Sequence, residues 1–313
     1  MSQEIKISDL SSYVSGENSC FICCASFEDR CLSLPLSLKD VNFEKIFVFK
    51  STDMLGVTGD NLNKITDAFK GLPTICDIST VDPLSTFKEY CIVFEKLIQD
   101  DRKFDFYVDI TTFTRESLLI LLRIMHKFKI CIRSLKIIYT LSKDMDNWLS
   151  RGVSDIRSVL GFAGNFYPKK PMHLIVLTGF ELERAIATIE EYEPNYISIG
   201  LGDENQSIRT EFYERNRKFV NELMKIYGSS VRNLSFSLKD PISCKNSILN
   251  HIKDQGDSNF IISPLSNKIS TLGAGLVGLE NKDVQLCYTK PAEYNILSYS
   301  IPDDRCLVLN IVI

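Results

Sequence analysis

An internal repeat constrains this chain most: it reads as one α/β half present twice, with matching landmarks at matching distances. In the first half the apolar run Phe21-Ile22-Cys23-Cys24-Ala25 ends in Ser26-Phe27-Glu28-Asp29-Arg30, and a later run ends in Asp109-Ile110-Thr111-Thr112-Phe113-Thr114-Arg115. In the second, Leu174-Ile175-Val176-Leu177-Thr178 ends in Gly179-Phe180-Glu181-Leu182-Glu183-Arg184, and a later run ends in Ser263-Pro264-Leu265-Ser266-Asn267-Lys268. Phe27 precedes Arg115 by as many residues as Phe180 precedes Lys268 (115 − 27 = 268 − 180 = 88). Each basic residue leads into a helical apolar pattern and then a strand closing in Tyr-Thr, Tyr139-Thr140 and Tyr288-Thr289. Two such halves commonly pack about a pseudo-twofold axis with one shared cleft at their strand-end loops. The alternative is a single larger mixed sheet whose strand ends merely share composition.

Apolar periodicity predicts strands at 20–25, 45–50, 74–78, 104–110 and 135–141, separated by helices at 30–39, 58–70, 85–99 and 114–128. The order recurs with strands at 173–177, 196–201, 233–238, 259–262 and 284–288, and helices near 181–191, 211–227, 243–253 and 268–279. Strands separated by helix-length segments point to parallel sheets with crossover helices. Between the halves, Met145–Arg157 carries Trp148 on an expected helix, and the Gly- and Pro-bearing stretch 161–171 reads as a linker. The halves are therefore expected at 1–165 and 166–313. The apolar Cys306–Ile313 reads as a buried or edge strand.

A chain of 313 residues fits about two domains at ~100–200 residues each, or one large one. A net charge of −4 argues against nonspecific attraction to nucleic acid, while leaving room for a small anion held by local basic groups. The longest apolar helical pattern is interrupted by Arg123 and His126, so no membrane span is expected. The amino terminus lacks the charged-then-apolar order of a secretory signal, so a cytoplasmic protein is expected. Most of the ten cysteines lie in strand patterns, where a thiol acts as a small core residue. Three histidines scattered at 126, 173 and 251 give no zinc spacing, so neither metal nor cofactor is expected.

In an open parallel sheet, ligands settle beyond the carboxyl ends of the strands. The segment Asp109–Glu116 offers three hydroxyls (Thr111, Thr112, Thr114), a carboxylate and the Arg115 guanidinium around a helix amino terminus, where free N–H groups favour an anion. Capping by Thr112 or Thr114 is the alternative. Its counterpart keeps hydroxyls and a basic end in Ser263, Ser266, Asn267 and Lys268 but loses the acid. Gly273, Gly275 and Gly278 on the following helix suggest close packing on a neighbour. Phe27, Glu28 and Arg30, like Phe180, Glu181 and Arg184, either contact a base, ribose or phosphate or close the turn with an internal salt bridge. Tyr288, Lys290 and Tyr294, with Tyr299 beyond, either stack on a base and hold phosphate or pack as a lid.

A strand, a hydroxyl-rich turn and a basic residue opening a helix resemble the ligand loop of CARF domains, Rossmann-like sensors of cyclic oligonucleotides in prokaryotic antiviral systems. Two such halves in one chain resemble the related SAVED domain. The resemblance implies two tandem Rossmann-like parallel-sheet halves of an α/β protein. It also implies a cleft lined by Thr111, Thr112, Thr114, Arg115, Ser263, Ser266, Asn267 and Lys268. The family's loops carry two adjacent glycines where this chain has Thr112-Phe113 and Leu265-Ser266. The expected function is a nucleotide-binding sensor or regulatory subunit that acts through a protein partner or homo-oligomer. An enzyme acting on a nucleotide or nucleoside, with Asp109, Glu28 and Glu181 as acid–base groups, and an interaction subunit with a degenerate site are the alternatives.

Overall fold

The structure, a computed structural model, describes residues 2–70, 72–207, 209–228 and 231–313. The chain begins with β1 (Ser2–Lys6), β2 (Ser19–Ala25), α1 (Arg30–Ser37), β3 (Lys45–Ser51), α2 (Leu55–Ala68), β4 (Thr74–Ile78), α3 (Pro83–Gln99), β5 (Phe104–Asp109), α4 (Arg115–Lys127) and β6 (Ile132–Met145). It continues with β7 (Ser150–Ser158), β8 (Met172–Leu177), α5 (Leu182–Tyr192), β9 (Tyr196–Gly202), α6 (Thr210–Tyr227), β10 (Arg232–Phe236), α7 (Pro241–Asp254), β11 (Asn259–Pro264), α8 (Lys268–Glu280), β12 (Gln285–Tyr294) and β13 (Ser300–Ile311).

Burial follows the apolar pattern that formed these elements. Every residue of β2 is buried, as a strand covered on both faces should be. The edge strands β4 and β10 bury only Cys76 and Ile78, and Leu234 and Phe236, alternating as one-sided strands do.

The chain divides into two units, Met1–Asp146 with Ile296–Ile313, and Asn147–Asn295. In the first, the sheet order is β1-β13-β6-β5-β2-β3-β4, and in the second β10-β9-β8-β11-β12-β7. β2 pairs in parallel with β3 and β5, β3 with β4, and β5 with β6. Likewise β8 pairs in parallel with β9 and β11, β9 with β10, and β11 with β12. Counting strands within each half, both therefore run 3-2-1-4-5, the Rossmann-like order.

These units differ from the halves expected at 1–165 and 166–313, and strand pairing is the reason. β7 follows β6 along the chain but pairs antiparallel with β12, whereas β13 follows β12 and pairs antiparallel with β6. The helix expected over Met145–Arg157 is instead the end of β6, a short connection and β7. Cys306–Ile313 falls largely within β13, flanked on both sides by β1 and β6.

The repeat extends beyond the Phe-Glu and Tyr-Thr landmarks. Ser79-Thr80-Val81-Asp82-Pro83 recurs as Ser237-Leu238-Lys239-Asp240-Pro241 at the starts of α3 and α7. Asp82 Oδ1 caps Leu84 N at 2.9 Å, and Asp240 Oδ1 caps Ile242 N at 2.9 Å. Proline at the first helical position gives up a donor that the helix would not use. Ser79 Oγ and Ser237 Oγ accept the N–H of Asp82 and of Asp240, both at 2.9 Å. Beyond them Asp53 Oδ2 and Gln206 Oε1 play one role, each bonding the serine hydroxyl and the next backbone N–H groups. Close packing of α8 is also present: a Cβ on Gly273 would stand 2.7 Å from Cys244 Cβ of α7. Among the described residues no helix is long and apolar enough to cross a membrane.

Candidate functional site

In both units the first strand is central, with the next strand on one side and the fourth on the other. This is the topological switch point where ligands of open α/β sheets bind. The loops after β2 and β5 meet it in one unit, and those after β8 and β11 in the other.

The Phe-Glu loops build matching buried clusters. Arg30 Nε pairs with Glu28 Oε1, and Nη1 reaches the Thr140 carbonyl at 3.2 Å and Tyr139 Oη at 3.4 Å. Ser300 Oγ, at the start of β13, donates to the same Glu28 oxygen. In the second unit Arg184 pairs with Glu181 and donates to the Thr289 carbonyl, while Ser150 Oγ, at the start of β7, donates to Glu181 Oε1. Arg30 is 6% and Arg184 2% exposed, so both guanidiniums face protein. Burial works against their charge, but Glu28 with Tyr139, and Glu181 with Tyr288 and Tyr294, outweigh it and hold both strongly protonated. Of the two readings open in the sequence, the geometry realises the internal salt bridge. Ser150 and Ser300 carry no sequence signal, since each is brought in by long-range strand pairing.

The Asp109–Arg115 segment uses its hydroxyls internally. Thr111 Oγ1 donates to Asp109 Oδ1 and accepts Thr140 N at 3.0 Å. Thr112 Oγ1 donates to the Cys24 carbonyl at 2.6 Å, tying the loop after β5 to the end of β2. Thr114 Oγ1 caps Ser117 N at 3.1 Å. Asp109 is 1% exposed, and its Oδ2 has no hydrogen-bond partner among the described residues. Burial pushes its carboxyl up to about 7, against the opposing pull of the Thr111 hydrogen bonds and Arg30. Arg115, half-buried, opens α4.

In the second unit Asn267 takes the capping place of Thr114: its Oδ1 accepts Ser270 N at 2.9 Å and its Nδ2 donates to the Leu238 carbonyl at 2.8 Å. Lys268, also half-buried, opens α8. Ser263 and Ser266 are buried. Ile262 stands where the first unit has Asp109, so the buried acid is not repeated. Gly179 lets the two loops touch, because a Cβ there would collide with the Leu265 carbonyl oxygen.

The aromatic residues of the two loops also differ in company. Phe27 meets Tyr299 edge to face at 5.6 Å beside a cavity of about 320 Å³, lined also by Glu28, Asp29, Asp144 and Asp146. Its carboxylates suit hydroxyl or amine groups, such as those of a ribose or base, better than a phosphate. Phe180 packs on Phe212 at 5.3 Å, with the Arg215 guanidinium 5.0 Å over its ring. The Thr289–Asn295 segment, expected as a loop, is strand through Tyr294 with a bulge at Lys290/Pro291. Pairing with β7 carries β12 past its apolar end. Tyr288 is buried, with its hydroxyl 3.4 Å from that of Tyr294, and Lys290 is half-buried. Among the described residues no three His, Cys, Asp or Glu side chains are placed to hold a metal ion.

No protein-family model matches the chain, and no curated protein does. Among solved structures it is similar to a protein assigned as a universal stress protein from Pseudomonas aeruginosa UCBPP-PA14, at 10% identity and TM-score 0.27 over 87% of this chain and 93% of that one. The cytoplasmic domain of a prokaryotic cation chloride cotransporter matches at 8% identity and TM-score 0.27, over 89% and 98%. A short-chain dehydrogenase/reductase from Veillonella parvula DSM 2008 in complex with NADP matches at 8% identity and TM-score 0.25, over 88% and 99%. Identity and TM-score at this level carry no activity across, and the strand order stands on the chain's own pairing.

Proposed function

We propose that the protein is a nucleotide-ligand sensor or regulatory subunit of the CARF/SAVED kind. The observation that carries this reading is the repeated switch point, where a basic residue, Arg115 or Lys268, opens the helix after the fourth strand of a 3-2-1-4-5 sheet. Backbone N–H groups at such a helix start, together with the helix dipole and the basic side chain, favour phosphate. The acidic aromatic cavity beside Phe27 offers acceptors to ribose and base donors of the same class of ligand. Output passes to another chain or another copy, and prokaryotic antiviral defence is the setting that the resemblance suggests.

A catalytic role finds less support, because Asp109 and Glu28 are buried and engaged by Thr111, Arg30 and Ser300. The test is calorimetric titration of the full chain with mononucleotides and cyclic oligoadenylates. Binding that Arg115→Ala or Lys268→Ala weakens by about tenfold or more, as loss of one charged hydrogen bond predicts, supports the sensor. Heat traces at buffer level for every nucleotide tried would remove it.

A further inference from the structure

Two of the three histidines in the sequence, far apart along the chain, meet on one serine. His173 Nε2 and His251 Nε2 each lie 2.7 Å from Ser198 Oγ, with the two rings 6.3 Å apart. His173 and Ser198 sit near the amino ends of β8 and β9, and His251 is in the last turn of α7. The cluster is thus at the opposite end of the second sheet from the switch-point loops and shares no residue with them.

His173 and Ser198 are fully buried, while His251 is half-buried. His173 Nδ1 is buried and has no partner among the described residues. One hydroxyl carries one proton, so Ser198 can donate to only one of its two imidazoles and must accept from the other. Buried N–H groups left without a partner are rarer in folded proteins than under-satisfied buried acceptors. The proton order is therefore His173 Nε2–H to Ser198 Oγ, and Ser198 O–H to His251 Nε2. This order requires His251 Nε2 to be unprotonated, and a proton on His173 would place a charge and an unsatisfied Nδ1–H in a fully buried site. A proton arriving on His251 Nε2 would force the chain to reverse and leave a buried Nδ1–H of His173 unsatisfied.

We propose that His173, Ser198 and His251 form a proton-sensitive clasp, which holds the last turn of α7 to the second sheet while both imidazoles are neutral and releases it in mild acid. The surroundings oppose a positive charge. Arg232 of β10 lies beside Ser198 in register, held 5.3 Å over the Tyr196 ring of β9, and Phe260 of β11 packs 5.2 Å from the His173 ring. Asp254, on α7 itself, favours protonation of His251. Burial first, then Arg232 and His251, push His173 down to about 4, and burial and Arg232 lower His251 as well. Folded pKa values thus lie below the unfolded ~6.5. The stabilisation is complete above that pH and is lost as pH falls toward about 4.

The test uses the full chain with ¹⁵N-labelled histidine, followed by NMR from about pH 7.5 to pH 4.5, alongside amide-exchange protection of the last turn of α7. At the upper end His173 is expected as the Nε2–H tautomer and His251 as the Nδ1–H tautomer. Toward acid, protection of that turn relative to α8 is expected to fall about tenfold or more. In His251→Gln, whose amide oxygen accepts the serine proton and cannot be protonated, the ratio should stay within about threefold. The same tautomer on both rings, a turn whose protection follows α8 throughout, or an undiminished fall in His251→Gln overturns the clasp. Should that variant not fold, the tautomers and protection of the parent decide alone.

Discussion

The two units share a strand order and a buried Glu–Arg–Ser cluster, yet where the fourth strand of the first carries Asp109, the fourth strand of the second carries Ile262 at the same repeat position. Features present in both units belong to the scaffold. In each, an arginine after the first strand ties that strand's loop to the carbonyl of the fifth strand, and a serine from the antiparallel strand beside that fifth strand completes the carboxylate. The buried acid belongs to one unit only and introduces a chemistry that the fold itself does not need. The same contrast appears at the loop after the fourth strand, which is tied to the end of β2 by the Thr112 hydroxyl in the first unit and meets the preceding loop directly at Gly179 in the second.

This comparison can be broken most forcefully at the shared cluster. Arg30→Ala and Arg184→Ala should each destabilise by about 3–5 kcal/mol in denaturant unfolding, because each leaves a buried carboxylate without its counter-charge. Losses of similar size would show equivalent scaffolding, whereas a loss in one unit only would end the equivalence.

Asp109→Asn sharpens the difference. The folded carboxyl titrates at about 7, against ~3.9 unfolded, so the folded state binds the proton more tightly. Stability from this group is complete below the unfolded value and drains as pH rises through about 7, with a slope of up to ~1.4 kcal/mol per pH unit. The variant should flatten that slope in pH-dependent melts, and Ile262→Val in the other unit should leave it alone.

Gly179→Ala should cost about 1–3 kcal/mol by overpacking against Leu265, while Ser26→Ala, at a position where a Cβ already fits, should change thermal stability far less. A modest effect is expected at the caps. Thr114→Ala and Asn267→Ala should each cost about 1 kcal/mol in the same unfolding assay, with Asn267 the more sensitive because it also holds the Leu238 carbonyl.

Much of the fold is legible in the chain. β4 spans Thr74–Ile78 as the alternation predicts, and the continuous apolar runs at β2 and β8 become central strands. The Ser-x-x-Asp-Pro repeat is equally visible, a cap-and-proline signal lying outside the Phe-Glu and Tyr-Thr landmarks. β7 is not legible, since Ser150–Ser158 is mostly polar and becomes a strand only by pairing with β12. At the candidate site, the three hydroxyls of Thr111, Thr112 and Thr114 suggested an anion cradle by number. Each has an internal partner supplied by Asp109, Cys24 or Ser117.

By itself the sequence determined the alternation of strands and helices, their approximate ends and the twofold repetition, because apolar periodicity, capping residues and prolines act within a few residues of where they stand. Tertiary structure alone decided that β7 and β13 would join the sheets of β12 and β6, that Ser300 and Ser150 would complete the carboxylate clusters, and that His173 and His251 would share Ser198. Each of those outcomes depends on strand register and burial between segments far apart in the chain, and no local pattern encodes which distant hydroxyl or imidazole will be carried to a given neighbour.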